Sequence, residues 1–438
     1  MKIRCIFLLG LMVVSSRILS QCPTAGFSNN SPVCGGQVVQ FQNSSVGATD
    51  YFWDFSAGDF DNPLADSLTI PGQVQTPSCV YPVSDNTGKY AFSCSRDDNR
   101  IVRYDYANGY QNGVTGIVDL GNVFSQVPSP NGMVFHQEAG TWYALVVSVF
   151  NNSLSRIEFG NGLNNAPTAA SIIQTSGLAF PRGIDLTSGP TGDLYAIIAN
   201  FTGNSVTVVS FGNSILNAPV LLGPYPTPGS GPMDVAWVRE CDHWYALMAC
   251  YNSSDVQLLD FGNDPGSTLS GSSTLVSGLT NPSSLAVGND NAGWYLLTSN
   301  SGSGKISVHS LGSTLNAPAP NLTGEVLLGA GAPTGLNLIR EESQWFGFVM
   351  MESLNQLITL SFENPGGVSL ATSNDFEPAG ISFAVGGTYH VVLEASDGSG
   401  NFDRHQELLQ ILPAPIVNFG YRNTCFGDFT EFEALILP

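Results

Sequence analysis

Oxygen-bearing side chains alternate along Asp397-Gly398-Ser399-Gly400-Asn401-Phe402-Asp403. Calcium is held by several oxygen ligands, and a loop offering one at every second residue supplies them. Loops of this kind close on a bidentate Glu at the twelfth position, where this chain has Leu408. A polar hairpin is therefore the favoured reading. Calcium is kept as the candidate cofactor, with Asp397, Ser399, Asn401 and Asp403 as candidate ligands. A second oxygen-rich stretch is Asp59-Phe60-Asp61-Asn62. The histidines, His136, His243, His309, His390 and His405, share no spacing. No Gly-x-Ser-x-Gly, His-Glu-x-x-His or phosphate-loop motif occurs, so neither an activated nucleophile nor a metal-bound water is signalled. The chain is not expected to be an enzyme.

Of the eight cysteines, Cys5 lies in a segment that reads as a secretory signal. Met1-Lys2-Ile3-Arg4 is basic, Cys5 to Val14 is apolar, and polar sequence leads to Gln21. The apolar run is too short to span a bilayer. Cys22 follows directly and is a candidate lipid-attachment site, disfavoured by Gln21 before it. Cys34, Cys79, Cys94, Cys241, Cys250 and Cys425 show no zinc-ligand spacing, and in an oxidising compartment some should pair. The formal net charge is −21, and removal of Lys2, Arg4 and Arg17 with residues 1–21 makes it −24. Nucleic acid and anionic membranes demand a basic patch, so neither is an expected partner. A secreted or cell-surface chain is expected. Sequons at Asn43, Asn151, Asn200, Asn252 and Asn321 matter only in a eukaryotic secretory pathway.

The elements that would position any site come from a repeat. Tyr90, Tyr143, Tyr195, Tyr245, Tyr295 and Phe346 each lead an apolar strand, at spacings of 53, 52, 50, 50 and 51 residues. Sixteen residues after each stands Tyr106, Phe159, Phe211, Phe261, Leu311 or Phe362. A constant offset between variable loops specifies two strands and a tight turn. A further strand follows each of Pro77, Pro130, Pro181, Pro232, Pro282 and Pro333, and a fourth fits after Asn-Ala-Pro. Four antiparallel strands per repeat make one propeller blade. The phrases Pro-x-Gly-apolar, Gly-x-x-Tyr and Asn-x-apolar resemble NHL-like six-bladed propellers over residues 77–375. A solenoid is the structural alternative.

That resemblance implies ligands at the mouth of a central channel. Enzymes of this shape, lactonases and lyases, hold a metal there through several equivalent blade positions. Two rings of equivalent positions are placed to offer such ligands. Five residues after the aromatic markers lie Ser95, Ser148, Asn200, Cys250, Asn300 and Met351; after the prolines lie Ser78, Asn131, Arg182, Met233, Ser283 and Thr334. Neither ring holds a carboxylate cluster. Asn131, Arg182, Asn200 and Asn300 are the candidate ligand-binding residues, suited to sugar hydroxyls or peptide backbone, with strand-end capping as the favoured reading. Cys79 and Cys94 fall on adjacent strands and form the candidate disulfide.

The flanks resemble two halves of a PKD domain, an immunoglobulin-like sandwich. Pro23-x-Ala25-x-Phe27, Cys34-Gly35-Gly36, Val39-Gln40-Phe41 and Tyr51-Phe52-Trp53-Asp54-Phe55 follow the order of its first half. Gly387-Thr388-Tyr389-His390-Val391 resembles its late strand. The expected fold is all-β, a six-bladed β-propeller inserted into a PKD-type β-sandwich. The segments are a signal at 1–21, a first half-domain at 22–59, a connector at 60–76, the propeller at 77–375, the second half at 376–412 and the start of a second PKD-like unit at 413–438. The split requires Trp53 to share a core with Tyr389 and Leu393. The whole resembles modular surface proteins of gliding bacteria, often exported by the type IX route and built as longer chains. The expected function is a non-catalytic binding or adhesion module for an extracellular glycan or protein, without membrane insertion. A propeller lyase or lactonase and a pure spacer are the alternatives.

Overall fold

The computed structural model describes residues 23–437 apart from 58–59, 61–62, 70–74, 108, 241, 291–292, 342–343, 363–366, 399–400, 415 and 423–430. The expectations for the signal segment and for Cys22, Cys241, Cys425, Asp59, Asp61, Asn62 and Ser399 lie outside these residues.

Each repeat folds as read because its turn is locally specified. Nine residues after every aromatic marker the backbone is left-handed, with φ of 57° at Asn99, 51° at Asn152, 43° at Asn204, 57° at Ser254, 68° at Gly304 and 49° at Asn355. Asn and Gly tolerate that region best, so the turn is set by residue type. It joins strands such as Leu194–Asn200 and Ser205–Gly212. Six antiparallel four-stranded sheets result. The chain is all-β, a β-propeller, and its helices among the described residues are two single 3-10 turns.

The first strands of the six sheets, beginning with Pro77–Asp85 and ending with Pro333–Glu341, contact one another in sequence, and the last contacts the first. Hydroxyls fasten the ring. Ser78 Oγ donates to Pro130 O at 3.1 Å, Ser283 Oγ to Pro333 O at 2.5 Å and Thr334 Oγ1 to Pro77 O at 2.6 Å. Apolar side chains bury between neighbouring sheets. One such core joins Tyr104, Tyr106 and Tyr110 to Phe346 and Phe348 across the closure.

The final sheet differs from the sequence reading. Its fourth strand is Leu64–Thr69, paired with Gln356–Ser361 from Leu64↔Ser361 to Thr69↔Gln356. Phe60 packs into the same sheet's core, against Phe362 and Tyr295. Part of the expected connector is thus propeller. The early segment takes the fourth place in the last sheet, and pairing it there removes an open edge.

A second unit draws on both flanks. Asp50–Ala57 lies between Gly387–Ser396 and Thr372–Ser373 in a five-stranded sheet that continues through Phe402–Leu412 to Val33–Cys34. Trp53, Phe55, Tyr389, Val391 and Leu393 bury in one core with Phe27 and Phe41. Ile416–Arg422 and Glu431–Leu437 pair as a separate hairpin.

The two units meet where first strands turn into second strands. Arg340 pairs with the fully buried Asp54 and lies over Phe52 at 5.0 Å. Arg239 Nη2 donates to Asn401 Oδ1 at 2.8 Å, and Arg404 donates to the carbonyl of Asn289. The opposite end of the propeller, where first strands begin, faces away from this seam.

Candidate functional site: the channel mouth

The six residues following the prolines converge at that free end. Ser78, Asn131, Arg182, Met233, Ser283 and Thr334 all line one cavity of about 70 Å³. The hydroxyls of Ser78, Ser283 and Thr334 serve the inter-sheet bonds described above. Asn131 and Arg182 remain as its polar groups from this ring. The channel is narrow because strands approach closely. A Cβ on Gly132 would meet the carbonyl of Arg182, and one on Gly183 would meet Asp234.

Arg182 has an unusual environment. Its Nε and Nη1 are buried and find no acceptor. Its Cζ sits 4.7 Å from the Phe180 ring centroid and 5.4 Å from that of Phe201. Burial, and then the nearby charge of Arg96, lower its pKa to about 10. At neutral pH it is still a cation. Arg96 itself is 2.7 Å from Glu352 and 3.3 Å from Asp97.

Aromatic rings continue from Arg182 along the rim. Phe150, Phe180, Phe201 and Tyr251 follow each other at centroid distances of 6.3, 6.1 and 6.5 Å. Phe150 is 71% exposed. Phe180 holds a left-handed φ of 57°, at the position that Thr76, Ser129, Gly231 and Asn281 occupy in other sheets with the same sign. A bulky side chain in that conformation is strained, and such strain gathers at binding sites. The signal for Phe201, Tyr251, Arg96 and Glu352 lies one residue beyond the ring of Ser95, Ser148, Asn200, Cys250, Asn300 and Met351.

That ring does not reach the mouth. Asn200 is buried, accepting from Ala179 N at 3.0 Å and donating to Thr207 Oγ1 at 2.9 Å. Asn300 is buried and donates to Ser307 Oγ at 2.9 Å. Both are corrected from ligand-binding candidates to ties between second and third strands. Alternation along the strand turns their side chains sideways, away from the axis.

Deeper in the channel a second cavity of about 170 Å³ is lined by Tyr81, Asp185, Asp234 and Asn337. Asp185 accepts from Leu186 N at 2.8 Å and from Trp237 N, on the next sheet, at 2.7 Å. Asp234 accepts from Val235 N at 2.9 Å, from Leu285 N at 3.1 Å and from Ser284 Oγ. Burial raises their pKa values to about 7 and about 6, with the charge of Asp234 adding to the shift at Asp185. They bridge neighbouring inner strands.

Among the described residues, the candidate calcium ligands Asp397, Asn401 and Asp403 are engaged with protein groups. Asp397 accepts from Asn401 N at 3.2 Å and Asn401 Nδ2 at 3.0 Å, Asn401 Oδ1 turns to Arg239, and Asp403 Oδ2 accepts from Ala25 N at 2.8 Å. These oxygens serve a hairpin and neighbouring strands, and Ser399 lies outside the described residues. Cys79 and Cys94 are register partners, but both are free thiols, which corrects the candidate disulfide. Directly opposed residues keep Cβ atoms about 4.5–5.5 Å apart, wider than the ~3.8 Å of a typical disulfide.

No protein-family model matches the chain, and no curated protein matches it in sequence. Solved structures do resemble it. A PQQ-bound aldose sugar dehydrogenase from Streptomyces coelicolor is 13% identical, covering 70% of this chain and 100% of its own, with a TM-score of 0.47. A DUF4623 family protein from Bacteroides eggerthii is 11% identical, covering 80% and 84%, with a TM-score of 0.48. An exo-β-1,3-galactanase from Phanerochaete chrysosporium is 10% identical, covering 66% and 92%, with a TM-score of 0.42. Most of the similar structures are enzymes, a β-xylosidase and a GH62 α-L-arabinofuranosidase among them. The expectation that this chain is not an enzyme is therefore withdrawn. At these identities and scores the likenesses assign it no reaction or substrate.

Proposed function

We propose that this chain is a secreted or cell-surface binding protein, a six-bladed β-propeller carried as an insert in a PKD-type β-sandwich. Its channel mouth receives an extracellular glycan or protein. The observation that carries this reading is Arg182, whose buried Nε and Nη1 lack acceptors beside a row of accessible aromatic rings. None of these rings lines the cavity itself, whose wall is largely polar; they stand beside it, with Phe150 exposed. The orientation of the mouth supports the reading. The sandwich holds the propeller through Arg239, Asn289 and Arg340 at the far end, which leaves the mouth open. A joint made by two chain crossings holds such a head more stiffly than a single linker. Nucleic acid does not fit a chain of net charge −21.

A combined glycan and peptide array, run with a metal assay and a turnover assay on the hits, tests this reading. Retention of a ligand by the parent and its loss in Arg182→Ala is expected. Ligand retention unchanged by Arg182→Ala would place the site elsewhere.

A further inference from the structure

Two thiols face each other beside the channel mouth. Cys79, on Pro77–Asp85, and Cys94, on Gly88–Ser95, are register partners on neighbouring antiparallel strands, so their side chains leave the sheet on the same face. Cys94 is fully buried, and Cys79 is half-buried and lines the mouth cavity. Burial first, and then the adjoining Cys79 thiol, hold the Cys94 pKa well above the ordinary thiol value. A third sulfur belongs to the same place. Met133, on the first strand of the next sheet, is buried in one core with Cys94, against which Cys79 also packs, and it lines the cavity with Cys79.

Spacing decides what such a pair can do. A disulfide needs sulfurs about 2.0 Å apart and Cβ atoms ~3.8 Å apart, whereas directly opposed strand residues are held wider, at about 4.5–5.5 Å. An ion between the sulfurs relaxes that demand. Two metal–sulfur bonds of about 2.3 Å reach across about 4.6 Å. Sulfur donors alone, two thiolates and a thioether, select a soft ion of the Cu(I) class. Zinc takes four ligands in a tetrahedron, and among the described residues no three His, Cys, Asp or Glu side chains stand together to supply them. The surroundings also suit the charge. Each thiol gives up its proton on binding, so two thiolates and one monovalent cation leave one negative charge. The Arg182 guanidinium lines the same cavity and offsets it.

We propose that Cys79 and Cys94, with Met133 as third donor, form a binding site for one soft monovalent cation of the Cu(I) class in the wall of the channel mouth. The ion replaces the two thiol protons, which pass to solvent through the cavity, and no electron is transferred. The half-exposed Cys79 takes the ion first, and the buried Cys94 and Met133 complete its shell.

The test is an anaerobic titration of the full chain with Cu(I) buffered by a chromophoric chelator, with Zn²⁺ titrated in parallel. Other cysteines also bind copper, so the difference between the parent and each variant is what is read. The parent should hold one more Cu(I) per chain than Cys79→Ser, and Cys94→Ser should lose the same equivalent. Cys79 is half-exposed, so Cys79→Ser carries the test if Cys94→Ser does not fold. Met133→Leu nearly conserves the core volume and should weaken that equivalent by about tenfold or more. One equivalent of Cu(I) should raise the melting temperature of the parent more than that of Cys79→Ser, as binding to the folded state does. Equal retention of Cu(I) by the parent and both serine variants overturns the site. Zinc held by the parent as tightly as Cu(I), and lost in the same variants, overturns the soft monovalent class. An affinity unchanged by Met133→Leu overturns the thioether donor.

Discussion

Trp53 and Leu393 are direct register partners on adjacent strands, although the whole propeller lies between them in sequence. Trp53 is fully buried, its indole stacked on Phe55 and edge-on to Phe27, with Nε1 donating to Asp375 O at 2.9 Å. Trp53→Ala should cost the small unit about 3–5 kcal/mol, the range for removing a buried aromatic. Urea unfolding followed by separate probes in each unit checks it. A chain in which residues 58–371 are replaced by a short Gly/Ser linker should still fold as a β-domain, because Thr372 pairs with Asp54 where the cut is made. An unfolded product would show that the flanking segments need the propeller.

Arg340 and Asp54 join the two units, with Asp54 fully buried. Arg340→Ala removes the pairing cation from a buried carboxylate. The expected loss is about 3–5 kcal/mol. Arg340→Met combined with Asp54→Asn should recover part of it, since neither change then leaves an uncompensated charge. A double-mutant cycle by denaturant melts measures the coupling; additive losses would mean that the pair does not act as one.

Asp185 and Asp234 give a pH dependence whose sign follows from their environment. Their folded pKa values, about 7 and about 6, exceed the ~3.9 of an exposed Asp. The folded state therefore holds more protons than the unfolded state between these values. Stability from these groups is full below about pH 4 and is lost as pH rises to about 7. The melting temperature of the parent relative to Asp185→Asn should fall from pH 5 to pH 8. A constant difference across that range would mean that Asp185 does not titrate there.

Leu64–Thr69 closes the last sheet as its outer strand. Deleting residues 64–69 exposes the edge of Gln356–Ser361 and should produce oligomers on gel filtration, as unpaired edges do. A monomer with unchanged melting would show that the strand adds nothing to closure.

Cys94 and Cys250 are buried, and burial raises both thiol pKa values. Both should resist alkylation in the folded chain and label fully in denaturant, the thiolate being the reactive form. Peptide mapping after a mild alkylation pulse separates them from the half-exposed Cys34.

The repeat was legible because everything that defines it is local. A left-handed Asn, Gly or Ser turns each hairpin, a Pro opens each first strand, and the sixteen-residue offset follows from two strands and one turn. The same holds for the ring after the prolines. Those residues sit next to a strand start that faces the axis, and the expected Asn131 and Arg182 do line the mouth. Local pattern failed where orientation mattered. Asn200 and Asn300 look alike to Asn131 in type, yet a strand position further from the axis turns them into buried ties. Tertiary structure alone decided that Leu64–Thr69 belongs to the last sheet, that Arg340 meets Asp54, and that Phe150, Phe180, Phe201 and Tyr251 form one row beside an unpaired guanidinium. Each of these joins residues brought together only by ring closure, and contact between distant segments leaves no period in the sequence to read.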